Sequence, residues 1–194
     1  MNKTNSLQGK DLINVGIFSA IYFAIVMAIA MLGYIPIMMP LLCVFGPILC
    51  GIPFMLFLTK VKKFGMILIM SIIMGIMMML TGMNWYSLVV GIFSGLAADL
   101  IYRSGDYSSS SKAVITNGVF SIWMWANYIP LFTNPEKYFS TRQSFGQEYI
   151  DTLTSLMPLW MCPVLFILCI VCGIFGGLLG KSLLKKHFKR AGIA

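Results

Sequence analysis

Residues 12–59 carry no charged side chain, and neither do residues 64–98, 113–135 or 152–180. A helix that crosses lipid needs about 20 apolar residues, at about 1.5 Å rise each, to span a hydrocarbon core of about 30 Å. The four runs measure 48, 35, 23 and 29 residues. The two shorter runs therefore hold one span each and the two longer runs two each, six in total. Charged residues make up 10% of the 194, against about 25% in soluble domains. Too few charges remain to clothe a surface in water, and too much apolar surface is present for a disordered chain. A barrel would alternate polar and apolar residues, whereas these runs are apolar on every face. The expected fold is all-α, a single six-helix membrane domain over residues 1–194.

The turns inside the double runs are legible. Ile35 precedes Pro36 and is pushed out of helix, and Thr81-Gly82-Met83-Asn84 sets small polar residues around a glycine. The expected spans are roughly 12–33, 37–59, 64–81, 85–102, 113–133 and 156–180. Six spans place both termini on one side, with Lys3, Lys10, Lys60, Lys62, Lys63, Arg103, Lys112, Lys181, Lys185, Lys186, Lys189 and Arg190, and leave only Lys137 and Arg142 opposite. Basic residues mark the cytoplasm, so both termini are expected there. Lys3, Lys10 and Ala28-Ile29-Ala30 superficially resemble a signal peptide, but the apolar run is long for one and its removal would leave an odd number of spans.

Catalytic and metal-binding arrangements are thin. The five cysteines, Cys43, Cys50, Cys162, Cys169 and Cys172, all sit in apolar runs. Cys169 and Cys172 read as two small side chains one helical turn apart, not as half of a zinc site. The only histidine, His187, lies in the basic segment 181–194, expected at the inner leaflet. No phosphate-binding loop is present, so no enzyme activity and no cofactor are expected of the chain itself. A nucleic-acid partner is not expected either.

Several faces stand out. Ala20, Ala24 and Ala28 recur every fourth residue below Gly16 and lie on one helix face. Helices in lipid associate through close approach at small residues. Two occupants fit this face: a neighbouring span of the same chain, which the residues alone favour, or a separate membrane subunit. Gly91 and Gly95 form a second such face, followed by Asp99, which is expected to pair with Arg103 at i, i+4 or else to serve as a partner contact or proton site. Gly173, Gly176, Gly177 and Gly180 make the last span a close-packing helix. Met66, Met70, Met74 and Met78 read as packing. Pro40, Pro47 and Pro53 should kink or break the second span, and Ser108–Ser111 reads as a flexible linker.

The size, the topology, the Ala stripe and the opening Lys10-Asp-Leu-Ile-Asn-Val-Gly-Ile-Phe-Ser-Ala-Ile-Tyr-Phe23 together resemble the substrate-binding S components of energy-coupling factor (ECF) importers, in particular the Trep_Strep (MptD) family. The resemblance implies a multi-pass protein of the bacterial cell membrane. It also implies that a transmembrane coupling subunit seats on Ala20, Ala24 and Ala28, and that two partner ATPases use the ATP. It names no solute. A stand-alone secondary transporter using Asp99, or a non-transporting assembly or immunity protein, remains the alternative.

A ligand is expected on the outer side. Residues 134–155 are long and polar, with Phe145, Tyr149 and Leu153 on one face and Glu148 and Asp151 elsewhere, the pattern of an amphipathic helix across the opening. The outer ends of the spans gather Asn84, Trp85, Trp123, Asn127, Tyr128 and Trp160. Interfacial anchoring explains part of this set, but buried amides need partners, and a polar solute supplies them. Together with Glu148 these residues are the expected binding set. A cationic solute is favoured if Glu148 or Asp151 faces the pocket.

Overall fold

The computed structural model describes residues 7–142 and 144–188. Lys3, Lys189, Arg190 and the end of the basic tail lie outside the described residues. Helices occupy every expected span, and no strand occurs among the described residues. They are α1 (Gly9–Ala30), α2 (Met38–Lys60), α3 (Met66–Leu80), α4 (Tyr86–Arg103), α5 (Ser110–Phe120), α6 (Ile122–Trp125), α7 (Ile129–Thr133), α8 (Pro135–Ser140), α9 (Gln147–Leu156) and α10 (Met161–Leu183). Four stretches are long and apolar enough to cross a membrane: Gly9–Tyr34, Met38–Lys60, Tyr86–Arg103 and Met161–Lys186. The apolar α3 is shorter at 15 residues.

The helices close into a ring. α1 packs on α2 and α3, α2 on α10, α10 on α5, α5 on α4, and α4 back on α3. Glycines set the closest seams. A methyl group added at Gly176 would lie 2.3 Å from the Pro47 carbonyl oxygen, and one at Gly75 would lie 2.6 Å from the Leu88 Cα. Gly95 rests on the Ser71 Cβ, and the Ser71 hydroxyl donates to the Gly91 carbonyl at 2.6 Å. Asn117 Nδ2 donates to the Gly173 carbonyl at 2.6 Å and ties α5 to α10. At mid-depth, Tyr22, Phe54, Phe120 and Trp123 are all buried. Phe54 and Phe120 stack at 4.4 Å and Tyr22 meets Phe120 edge-on at 5.6 Å.

The elements alternate in direction, so one end of the ring collects the basic residues. There Lys63 pairs with Asp11 at 2.6 Å, and the Tyr102 hydroxyl donates to the Leu58 carbonyl at 2.8 Å. The other end is capped by α8 and α9.

Local structure departs from the sequence reading at three places, the fifth span, the start of the last span and the serine linker. Of the expected kink or break in the second span, the break is absent: α2 runs as one helix with Pro47 and Pro53 inside it. The fifth span is the one that breaks. The Ser121 hydroxyl donates to the Asn117 carbonyl at 2.7 Å, a back-bond that bends helices. Residues Ala126–Tyr128 tighten to a 3-10 turn, and Pro130 then opens α7. The last span begins at Met161 and not near 156, with Pro158 between it and α9. The serine linker is partly helical: the Ser109 hydroxyl accepts from the Lys112 amide at 3.4 Å and caps α5, which starts at Ser110. Ile35, as expected before proline, is extended.

Candidate functional site

At the capped end, the ring holds a partly open cavity of about 80 Å³, larger than one water needs, about 10–15 Å³. Val26, Ile29 and Ala30 of α1 face Met39, Leu42 and Gly46 of α2 across it. Met78 and Met83 close the α3 side, and Tyr138 of α8 lies over the top. The broken fifth span supplies Trp123, Met124, Asn127 and Tyr128. Trp123 and Met124 come from α6, and the 3-10 turn that follows brings Asn127 and Tyr128 to the same cavity. The Tyr128 hydroxyl donates to the Met39 carbonyl at 2.8 Å and locks this segment to α2.

The walls are apolar, and their polar atoms are few. Asn127 Nδ2 donates to the carbonyls of Trp123 and Met124 at 3.3 and 3.1 Å. Carbonyls only accept, so these bonds fix which way the amide faces. They leave Asn127 Oδ1 buried without a partner, while the Trp123 indole faces the buried Tyr22 hydroxyl. A buried acceptor left without a partner favours a ligand that supplies the missing bond.

The cap is held by specific contacts. The Asn134 side chain accepts from the Lys137 amide at 3.0 Å and starts α8. Arg142 lies over the Tyr138 ring at 4.0 Å, and its guanidinium reaches the Met83 sulfur at 3.2 Å. Phe145 stacks on Tyr149 at 4.2 Å, and Leu153 is fully buried, which is the apolar face expected of this segment. The Tyr149 hydroxyl donates to the Gly33 carbonyl and fastens α9 to the end of α1. Burial, with Tyr138 nearby, pushes that hydroxyl up to about 12, so it keeps its donor proton at neutral pH.

The expected binding residues divide. Trp123, Asn127 and Tyr128 line the cavity together. Asn84, Trp85, Glu148 and Trp160 do not line it. Asn84 sits in the α3–α4 turn beside Met83, and its carbonyl accepts from the Ser87 hydroxyl at 3.3 Å. Trp85 is 54% exposed and stacks on Tyr86, while Trp160 is 63% exposed at the head of α10. Glu148 and Asp151 are exposed, and Asp151 accepts from the Gln147 amide at 2.8 Å. No carboxylate lines the cavity, which removes the ground for a cationic solute. Sequence reasoning missed Met39, Met83, Met124 and Tyr138. Only Met78, the last of the regularly spaced methionines, carried a periodic signal.

Residues 9–190 match the family model described as hypothetical bacterial integral membrane protein (Trep_Strep). The chain belongs to the Trep_Strep family. No curated protein and no solved structure matches it.

Two further features of this Trep_Strep protein bear on function. Ala20, Ala24, Ala28 and Gly16 are all exposed, and nothing comes within 4 Å of a methyl group built at Gly16. α1 turns Val15, Ser19, Tyr22 and Ile29 into the ring instead. The occupant favoured by the residues alone, a neighbouring span, is therefore absent among the described residues, because the larger aromatic side of α1 is the one that packs.

Asp99 also corrects the sequence reading. It makes no ion pair with Arg103, whose guanidinium lies over Phe64 at 5.4 Å. Asp99 Oδ2 instead accepts from the amides of Gly65 and Leu68, both at 3.0 Å. The free amides at a helix start outcompete a neighbouring side chain on α4, since buried donors left unmade are costly. Asp99→Ala is expected to destabilise the protein by about 2 kcal/mol, as loss of a strong cap does. Asp99→Asn, which keeps an acceptor oxygen, is expected to lose less than half of that. Thermal unfolding of the two variants in detergent checks the order, and equal losses would refute the cap.

Proposed function

We propose that this Trep_Strep protein is the solute-capturing S component of an ECF-type importer in the bacterial plasma membrane. It takes a small solute from outside and delivers it inward with a coupling subunit and two ATPases that use ATP. The observation that carries the reading is the open Ala20–Ala24–Ala28 face on a chain whose other helices are paired around a ring. A small-residue face in lipid fits another helix closely, and α1 has none on that side. Six crossings with both termini cytoplasmic agree with the gathering of basic residues at one end. The capped cavity at the opposite end then faces the outside.

The cavity defines the solute's chemistry. Its walls favour an uncharged, largely apolar molecule. A hydrogen-bond donor on that molecule would meet Asn127 Oδ1. The alternative is a stand-alone carrier using Asp99: its Oδ2 is held by the α3 backbone, and its Oδ1 is buried without a partner.

The test is native mass spectrometry of protein purified from its own cells. A retained solute is expected, and Asn127→Leu should reduce its occupancy about tenfold, as loss of a buried hydrogen bond predicts. A coupling subunit and two ATPases should co-purify in mild detergent. A chain that carries no solute and no partners under these conditions overturns the reading.

A further inference from the structure

The basic end holds a second concavity, of about 300 Å³, which plays no part in solute capture. Lys62 after α2, Lys181 at the end of α10 and Lys185 beyond it all line it, along with Ser108, Ser109 and Ser110. Lys62 comes from one wall and Lys181 and Lys185, one turn apart, from another, and none has a carboxylate partner among the described residues. Lys62 and Lys185 are exposed, so their ammonium groups are accessible. The Tyr102 hydroxyl, donating to Leu58 and within 3.1 Å of the Tyr107 carbonyl, fixes one rim.

Converging like charges repel unless an anion lies between them. The anion that fits here has several oxygens, because lysines approach from two sides and the Ser109 and Ser110 hydroxyls lie beside them, the Ser108 hydroxyl being given to the Gly105 carbonyl. A carboxylate offers only two oxygens. We propose that this cleft binds a phosphate-bearing group. Met55, Leu58 and Leu184 add apolar wall beside the lysines, which suits the carbon part of a phosphate ester. A phospholipid headgroup and free phosphate share this chemistry.

The test uses the full-length protein in vesicles of equal parts phosphatidylcholine and phosphatidylglycerol. Lipid that stays bound after extraction is identified by native mass spectrometry. Retention of phosphatidylglycerol over phosphatidylcholine is expected. Lys62→Gln with Lys185→Gln should lower that preference about fivefold for each lysine removed, while the arginine pair at the same positions should keep it. Lys60→Gln with Lys186→Gln removes equal charge outside the cleft and should change nothing. A second arm adds inorganic phosphate to protein in phosphatidylcholine alone and follows the melting temperature. A rise that disappears in the Lys62/Lys185 glutamine variant identifies free phosphate as the ligand. The proposal is overturned if the control pair loses as much lipid preference as the cleft pair, which would mean diffuse surface attraction. It is equally overturned if neither lipid nor phosphate distinguishes the wild type from the cleft variant.

Discussion

Gly176→Val is expected to yield almost no folded protein. A Cβ at position 176 falls 2.3 Å from the Pro47 carbonyl oxygen and 2.9 Å from the Ile48 Cα, and Gly51 on the facing helix is equally tight, 2.4 Å from the Gly176 carbonyl carbon. These are backbone atoms, so no side chain can rotate away. The helices must part, and parting them breaks the seam that continues through Gly180 onto Met55. Overpacking a tight seam costs about 3 kcal/mol or more. In lipid the loss is not offset by any hydrophobic drive between helices, which associate mainly through such packing. Gly16→Val is the reference: its added atoms meet open space, and the cost should stay within about 0.5 kcal/mol. Yield of monodisperse protein and melting temperature report both. A Gly176→Val protein that melts with the wild type would mean that α2 and α10 are not in backbone contact.

The second large effect is on transport and not on folding. Ala20→Leu together with Ala24→Leu should abolish solute uptake and leave solute binding intact. Both alanines face outward, so the chain itself has nothing to displace, and the Asn127 side of the cavity is untouched. If a coupling helix seats on this face, each added isobutyl group holds it off by overpacking, about 1–3 kcal/mol apiece. Together these weaken association about a hundredfold or more. Uptake into cells, retained solute in the purified chain and co-purification of the ATPases separate the possibilities. Loss of solute binding along with uptake would point to a damaged fold. Normal uptake would remove α1 as the docking face and with it the importer reading.

Much of this architecture was legible because lipid makes the cost of a charge nearly absolute. The gaps between charges located the helices, Pro36 placed the first turn, and the Phe145–Tyr149–Leu153 spacing gave the cap its buried face. The candidate site was legible only in part. Trp123, Asn127 and Tyr128 stood out as polar or aromatic residues near the end of an apolar run, but so did Trp85 and Trp160, and sequence cannot separate a wall from an interfacial anchor. The methionines of the cavity gave no such signal, since their chemistry is the same in core, pocket and lipid. Asp99 shows a different limit. Its nearest cation in sequence was Arg103, yet its partners are amides 31 and 34 residues away, and local spacing contains nothing about them. Pro47 and Pro53 left kink and break both open in the sequence, and the helix runs whole through them.

The aromatic layer of Tyr22, Phe54, Phe120 and Trp123 lies between the apolar cavity and the lysine cleft. Phe54 and Phe120 stack, Tyr22 meets Phe120 edge-on and Trp123 meets Tyr22 at a tilt, all four buried. An apolar layer of this kind gives a charge nothing to bind on its way between the two ends, so the molecule has the form of a cup with a floor, and an ion crossing it would have to shed its water with no replacement.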